Sequence, residues 1–276
     1  MFYYKNWEHF CQRLHALPVT TCTVSESLNI PEGQVFVALK HDVETNVPNA
    51  HRLAWIEKQN GICGSYYVQA YLLEDPDNVA LLLQMQHWGH EISYHYDVLD
   101  AHTGNYEAAE RDFKRHLHAF QYAGFTFGTI CQHGNPVKKR IGYTSNRDFF
   151  RNPAIRNKYP DLVDVVVDYS LHTQHPYKYI SDAGYCWNII TEPETNDLHP
   201  DSPVIRIGSL NAMLRMIEQK QSLIISTHPH RWKKSAYAIY TKIALFRTLR
   251  ATVMTARRIP SVESILNRFY FLAKKI

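Results

Sequence analysis

The stretch VFVALKHDVE, residues 35–44, determines how the rest of the chain is interpreted. It begins as an unbroken run of apolar, β-forming residues, which is typical of a parallel strand buried on both faces. It ends with His41, Asp42 and Glu44, three polar side chains within four residues. Because functional groups of α/β folds collect at the carboxyl ends of parallel strands, these side chains are candidates for a site.

The length and charge of the chain limit its class. A chain of 276 residues suits one large α/β domain, since such domains run to about 200–250 residues or more. We expect a single domain over 1–276, with a core at 35–232, an amino-terminal helix at 5–16 and a helical region at 235–273. A linker rich in Thr and Ser follows the first helix. The net charge of +4 is too small to indicate nucleic-acid binding.

The cysteines and the hydropathy pattern indicate a cytoplasmic protein. The five cysteines form no CxxC pair, so they are interpreted as reduced thiols. The amino terminus has no uninterrupted apolar segment of the kind found in signal peptides. No run approaches the roughly 18 apolar residues that a membrane span needs. The apolar and basic segment at 265–275 could contact a membrane surface, but a helix docked on the domain is the favoured interpretation.

Strand and helix patterns alternate along the first half of the chain. Gly61, Gly89 and Gly124 each follow a predicted helix, as glycine does at helix ends. This alternation predicts parallel strands joined by right-handed crossovers, about seven strands in all. Residues 133–160 interrupt the pattern with a long segment rich in Gly, Asn and Pro, and long loops in compact domains are usually functional.

Three other predicted strands end in the same kind of residue as the first. One ends at His95 and Asp97, another at His133, and the last at His228 and His230. Residues two apart on an extended chain face the same way, so the pairs on one strand can share a target. If the sheet closes into a barrel, all of these ends converge.

Asp and His side chains are the usual oxygen and nitrogen ligands of zinc and other first-row divalent ions. The converging strand ends therefore predict a metal site with an open position for water and substrate. The ordinary alternative is that several of the 16 histidines only satisfy core hydrogen bonds or lie on the surface. Four further residues are candidates for substrate binding, namely Asp182, Trp187, His230 and Arg231. Trp187 suits a core position equally well. A surface ion pair is the favoured role of Arg231.

The order of these motifs resembles the polysaccharide deacetylase family, carbohydrate esterase family 4, and most of all its branch found in surface-polysaccharide gene clusters. The lead GHEI at 89–92, before His95, resembles the start of the family's second motif. KHDVE at 40–44 stands in the place of its first motif, and VVVDYS at 165–170 resembles its later aspartate-bearing strand. The stretch from Leu223 to His228 resembles its final element.

The resemblance implies a distorted (β/α)7 barrel with one bound divalent metal ion, zinc above all. It also implies removal of an acetyl group from an N-acetylated or O-acetylated sugar. Carried over by position, Asp42 and His95 would be metal ligands, and His228 would be the general acid.

The chain departs from the family pattern at two positions. His41 occupies the slot of the family's catalytic-base aspartate, and Leu99 occupies the slot of its second metal histidine. We therefore expect His133 to be the third metal ligand, with Asp97 behind it. The base stays open among His41, Glu44 and Asp168.

The expected function is that of a metal-dependent deacetylase acting in the cytoplasm on a nucleotide- or lipid-linked N-acetyl sugar during surface polysaccharide biosynthesis. Another metal-dependent amidohydrolase is one alternative. A carbohydrate-binding protein that has lost catalysis is the other, and the residues at positions 41 and 99 favour it. Neither a Gly-rich phosphate motif nor Gly-x-Ser-x-Gly occurs, which argues against nucleotide-cofactor and serine-hydrolase chemistry.

Overall fold

The computed structural model describes residues 2–135, 138–173, 175–197, 204–244 and Thr248. The strands within these ranges are β1 Thr20–Cys22, β2 Phe36–Val43, β3 Ser65–Val68, β4 Glu91–Tyr96, β5 Thr129–Gln132, β6 Val163–Asp164, β7 Tyr177–Ser181, β8 Asn188–Ile190, β9 Ile205–Arg206 and β10 Ser222–Thr227. The α-helices are α1 Tyr4–His15, α2 Val24–Ser27, α3 Val47–Gln59, α4 Pro76–His87, α5 Val98–Ala101, α6 Tyr106–Tyr122, α7 Arg147–Arg151, α8 Pro153–Arg156, α9 Tyr169–His172 and α10 Leu210–Glu218.

All of these strands belong to one sheet, with the order β6-β5-β4-β3-β2-β10-β7-β8-β9. In this order, the first seven strands, which begin with β6 and end with β7, are parallel to one another. β8 and β9 follow β7 at that edge and pair in antiparallel fashion. The predicted α/β class is therefore confirmed, with the seven parallel strands of a distorted (β/α)7 barrel.

The predicted linker after α1 is wrong in one respect, because it contains a short strand and a helical turn. β1 pairs with the first half of β2, where Thr20 lies opposite Phe36. β3 pairs with the second half of β2, where Lys40 lies opposite Ser65. The long strand β2 thus pairs with β1 along its first half and with β3 along its second half, and it also pairs with β10.

All eight residues of β2 are buried, as its apolar run predicts, and they alternate between two environments. Val37 and Leu39 face the helix layer and pack with residues of α1 and α10. Phe36 and Ala38 face an interior cluster that also takes residues from the segment after β6 and from β7. Because these two segments lie far apart in the strand order, the sheet curves around this cluster. Its members are Cys22, Val24, Phe36, Ala38, Tyr67, Cys131, Val165, Val166, Tyr169, Tyr179 and Ile224.

The amino ends of three strands are closed by a hydrogen-bond network around Glu91. Ser65 Oγ donates to Glu91 Oε2 at 2.5 Å, and Thr129 Oγ1 donates to Glu91 Oε1 at 2.5 Å. The backbone N–H of Ser25 donates to Oε2 at 3.2 Å. Burial raises the pKa of Glu91 despite these bonds. Glu91, the glutamate of the GHEI stretch, therefore lies at the amino ends of the strands. The candidate ligands lie at the opposite, carboxyl ends.

Helix starts follow the sequence signals. Asn46, Asp75 and Asn105 cap α3, α4 and α6, each with its side-chain oxygen accepting a backbone N–H of the first turn. Such caps contribute about 1 kcal/mol each. In the predicted carboxyl-terminal helical region, residues 236–244 are helical, and most of the rest lies outside the described residues. Within the described ranges, every helix is too short or too polar to cross a membrane.

Candidate metal centre

The carboxyl ends of β2, β4 and β5 bring four of the predicted residues together. Asp42 lies on β2, and Glu44 follows just after its end. His95 lies on β4 and is in register with Cys131 on β5. His133 follows two residues after Cys131. All four side chains are buried, with exposed fractions from 2% to 8%. We call this buried group of two carboxylates and two imidazoles, Asp42, Glu44, His95 and His133, the metal-ligand cluster.

Glu44, His95 and His133 form a set of three potential ligands whose nitrogen and oxygen atoms lie within 4.8 Å of one another. His133 Nδ1 lies 3.2 Å from Glu44 Oε1 and 3.3 Å from His95 Nε2. A tetrahedral zinc ion with bonds of about 2.0–2.2 Å would hold neighbouring ligand atoms roughly 3.3–3.6 Å apart. Two of the three separations between these ligand atoms are therefore close to the spacing that such an ion requires, and the donor set fits a divalent metal.

The imidazole of His95 is oriented by its other nitrogen. Nδ1 lies 3.1 Å from the backbone oxygen of Cys131, an acceptor, so Nδ1 carries the proton. This leaves the lone pair of Nε2 facing His133. Burial lowers the pKa of His95 to about 3, although Asp42 attracts a proton to it. A neutral imidazole with a fixed tautomer is the form that binds metal.

Cys131 is a further potential ligand, in addition to those predicted from the sequence. It forms a second buried set with Asp42 and His95. The signal was available, because Cys131 lies two residues before His133 and so shares its face of the strand. Its thiol donates to the backbone oxygen of Gln132 at 3.5 Å, and burial raises the pKa of the thiol well above its usual value. We therefore favour the set with Glu44 and His133.

Asp42 is paired with a buried lysine. The Lys40 ammonium contacts Asp42 Oδ1, and its side chain has no exposed surface. Ser226 Oγ lies 3.4 Å from the other carboxylate oxygen. Burial opposes ionisation of Asp42, but Lys40, with His95 and His228, lowers its pKa to about 2. Asp42 is thus ionised at neutral pH, with one oxygen already bound to a cation.

His228, at the end of β10, lies against the same cluster and is held from behind by Asp182. Nδ1 of His228 lies 2.6 Å from Asp182 Oδ1. Its Nε2 lies 3.6 Å from Glu44 Oε1 and 4.0 Å from Asp42 Oδ2. The ring therefore presents Nε2 to the metal-ligand cluster and is fixed through its other nitrogen.

Asp182 is itself fixed by several donors. Thr227 Oγ1 donates to Oδ2 at 2.6 Å, and the backbone N–H of His228 donates to the same oxygen at 3.0 Å. The Arg231 guanidinium contacts the other oxygen. Burial disfavours the charged form, but Arg231 and His228 hold the pKa of Asp182 well below its usual range. Asp182 is an ionised partner of His228, and its side chain is completely buried.

His41 does not join the cluster. Neighbouring residues of a strand face opposite sides, so His41 faces the helices while Asp42 faces the interior. Its Nε2 lies 2.8 Å from Glu57 Oε1 on α3, and its ring stacks on Tyr66 with centroids 4.3 Å apart. His41 is therefore not placed to act as the base at the metal-ligand cluster.

Two further candidates have other surroundings. Asp168 is buried at the start of α9, where its Oδ1 lies 3.4 Å from Arg156 Nε. Burial raises the pKa of Asp168. Among the contacts of the described residues, none joins Asp168 to the metal-ligand cluster. Trp187 is 4% exposed and packs on Phe2, with ring centroids 5.1 Å apart, so it occupies the core position that was its alternative.

Two of the residues predicted to bind substrate lie beside His228. The ring centroid of His230 is 5.7 Å from that of His228, and burial lowers the pKa of His230 to about 3. Arg231 is committed to Asp182, where it also donates to the backbone oxygen at 2.5 Å. Leu99 is fully buried in the apolar core, which accounts for an apolar residue at that position.

Neither a protein-family model nor a curated protein matches the chain. Among solved structures, a family 4 carbohydrate esterase from Streptomyces lividans in complex with acetate is similar, with 15% identity and a TM-score of 0.42 over 80% of this chain and 91% of that one. The peptidoglycan deacetylase PdaC from Bacillus subtilis is similar with 12% identity and a TM-score of 0.36, over 83% of this chain and all of that one. These similarities are too distant to assign an activity to the chain.

Proposed function

We propose that the chain is a metal-dependent hydrolase that removes an acetyl group from an N-acetylated sugar. The observation that carries this proposal is the position of His228. Its Nε2 lies 3.6 Å from Glu44, a member of the three-ligand set, while its Nδ1 is fixed on a buried carboxylate. A potential metal centre with a braced imidazole beside it is the arrangement that metal-assisted amide hydrolysis uses.

Glu44, His95 and His133 would hold the metal ion. Two imidazoles and one carboxylate are a ligand set found in catalytic zinc sites, where a fourth position stays open. When bound, the ion supplies Lewis acidity, which polarises a carbonyl group and lowers the pKa of a bound water.

We assign the proton transfers to His228. The proton on Nδ1 is held by Asp182, so Nε2 is the nitrogen that exchanges protons with the reacting molecules. Nε2 takes a proton as the water attacks the acetyl carbon and then gives it to the departing nitrogen. The negative charge of Asp182 stabilises the imidazolium between these two transfers. Asp42 is a poor candidate for the base, because its pKa of about 2 leaves it little affinity for a proton at neutral pH.

The substrate class follows from the sequence resemblance and stays a proposal. We infer an N-acetyl sugar linked to a nucleotide or a lipid, in the cytoplasm, on the path to a surface polysaccharide. An O-acetylated sugar is the alternative substrate, since His228 could protonate a departing oxygen as well as a departing nitrogen.

The first experiment is elemental analysis of protein purified without chelators, followed by assays for acetate release from a panel of free, nucleotide-linked and lipid-linked N-acetyl sugars. About one divalent ion per chain, with acetate released from one linkage class, would support the proposal. A metal-loaded protein that cleaves only other amides would favour a different amidohydrolase. A protein that binds sugar but neither holds metal nor releases acetate would favour the carbohydrate-binding alternative.

A further inference from the structure

Asp100 is a buried carboxylate to which the proposed mechanism assigns no role. It lies on α5, five residues after His95, and is 5% exposed. Four hydrogen bonds reach its two oxygens, which is all that a carboxylate readily accepts. They come from Arg140 Nε at 2.8 Å, Arg140 Nη2 at 2.7 Å, Tyr143 Oη at 3.0 Å and Asn146 Nδ2 at 3.0 Å. A carboxylate that is saturated in this way holds a segment in place rather than binding a ligand.

The bound residues belong to the insertion that follows His133, and two of them reach back to the stretch around His133. Asn146 Nδ2 donates to the backbone oxygen of His133 at 2.8 Å. Arg140 Nη2 donates to the backbone oxygen of Asn135 at 2.9 Å. The backbone N–H of Asp100 completes the unit by donating to Asn146 Oδ1 at 2.8 Å.

His133 needs such support because it lies beyond the end of β5. Its backbone N–H still donates to Tyr96 oxygen at 2.6 Å, but its carbonyl points into the insertion and is held by Asn146. The His133 backbone is thereby tied to β4, the strand that carries His95, directly through Tyr96 and indirectly through Asn146, which binds Asp100 just after that strand.

We propose that Asp100 and Asn146 are positioning residues that set the metal affinity of the centre by fixing His133. This inference rests on the proposed function, since it takes Glu44, His95 and His133 as the ligands. Loss of a group that orients a metal ligand typically weakens metal binding by about 10–100-fold. We expect Asn146→Ala and Asp100→Asn to weaken zinc and cobalt binding to this extent, and to alter the visible spectrum of the cobalt form.

The chain offers two matched controls. Tyr143→Phe removes one hydrogen bond to the Asp100 carboxylate, and within the described ranges Tyr143 itself makes no hydrogen bond to the His133 backbone. Asp197→Asn disturbs a second anchor of the same insertion, where Asp197 pairs with Arg147 at 2.9 Å and with Arg151 at 2.7 Å. Both controls should retain metal affinity within about threefold of the wild type, well short of the 10–100-fold loss expected of a ligand-orienting group.

The measurement is competition with a chromophoric chelator for zinc and cobalt, with melting temperatures recorded for every variant. The proposal is overturned if Asn146→Ala binds as tightly as the wild type, or if the two controls lose as much affinity as Asn146→Ala does. If the wild type itself binds no metal, the proposed function fails separately. Amide hydrogen exchange at His133 then tests the positioning role, which requires faster exchange in Asn146→Ala and unchanged exchange in Asp197→Asn.

Discussion

Lys40 and Asp42 form an ion pair inside the barrel, where neighbouring positions on the same face of β2 are apolar. The lysine side chain has no exposed surface and that of the aspartate is 10% exposed. Alternate residues of β2 face the interior, so the pair is a direct consequence of their spacing of two along the strand. The ammonium lies over the ring of Tyr67, 5.0 Å from its centroid.

Replacing Lys40 with Met should destabilise the fold strongly. The substitution leaves Asp42 as a buried carboxylate without its cation, and breaking a buried ion pair in this way costs roughly 3–5 kcal/mol. The free energy of unfolding in urea measures the loss. The double variant Lys40→Met with Asp42→Asn should lose clearly less than the sum of the two single changes, and simple additivity would disprove the coupling.

Asp182→Asn should abolish most activity while sparing the metal. The side-chain amide of the variant presents a donor or a weaker acceptor to His228 Nδ1. The proton is then no longer fixed on Nδ1, and the imidazolium has no negative charge beside it. A loss in kcat of roughly 10²–10⁴-fold is expected. Metal content at the wild-type level and a small change in KM would accompany it. Loss of metal from this variant would instead place Asp182 in the support of the ligands.

Glu44→Gln and Cys131→Ser distinguish the two potential ligand sets. If Glu44, His95 and His133 hold the ion, Glu44→Gln lowers the metal content and Cys131→Ser leaves it unchanged. The charge of the ligand matters here, because a neutral amide is a weaker ligand for a divalent ion. Isothermal titration with zinc compares the two variants, and the opposite ranking would assign the centre to Asp42, His95 and Cys131.

His41→Asn should reduce stability without removing metal. The substitution takes away the imidazole that lies 2.8 Å from the fully buried Glu57, whose pKa is lowered against the effect of burial chiefly by His41. His95→Asn is the companion variant, which should lose the metal. The measurements are urea unfolding and elemental analysis of both proteins. Loss of metal from His41→Asn would instead show that His41 contributes to the metal site.

The stability of the protein should carry a pH dependence from Asp164. Burial raises its pKa to about 6 from 3.8, despite hydrogen bonds from Tyr96 and two backbone N–H groups. The native state therefore holds this proton more tightly than the unfolded chain does. Its stabilising contribution is complete below about pH 4 and is lost as the pH rises through about 6, by about 3 kcal/mol in all.

Asp164→Asn removes that contribution at every pH and serves as the reference. The difference in unfolding free energy between wild type and variant should shift against the wild type between pH 4 and pH 7. Urea unfolding at the two pH values provides both numbers. A constant difference would show that the carboxyl group of Asp164 has the same pKa in the folded and unfolded chains.

Sequence periodicity predicted the parallel sheet and the meeting of strand ends, because buried runs, helix signals and glycines are local features. It could not decide which face of β2 looks inward. Both faces of the strand are buried, so the apolar pattern does not distinguish His41 from Asp42. The histidine that occupies the family's base slot therefore appeared to be a site residue, whereas it contacts α3.

The contacts that orient side chains were also beyond prediction. Asp182 was predicted to bind substrate, but its pairing with His228 spans 46 positions in the chain. The same holds for Asp100 and Arg140, which are 40 positions apart. Such pairs depend on how loops return to the barrel, and residue spacing carries no information about them.

The network around Glu91 has a consequence for the movement of molecules. With that end of the barrel occupied by Glu91, Ser65 and Thr129, and the interior beside it filled by Tyr67 and its neighbours, molecules would have to approach and leave Glu44 from the carboxyl end of the strands. If the proposed reaction takes place, acetate and the freed amine share one exit, and one product has to depart before the other. Acetate should then inhibit turnover in a pattern that reveals the order of departure.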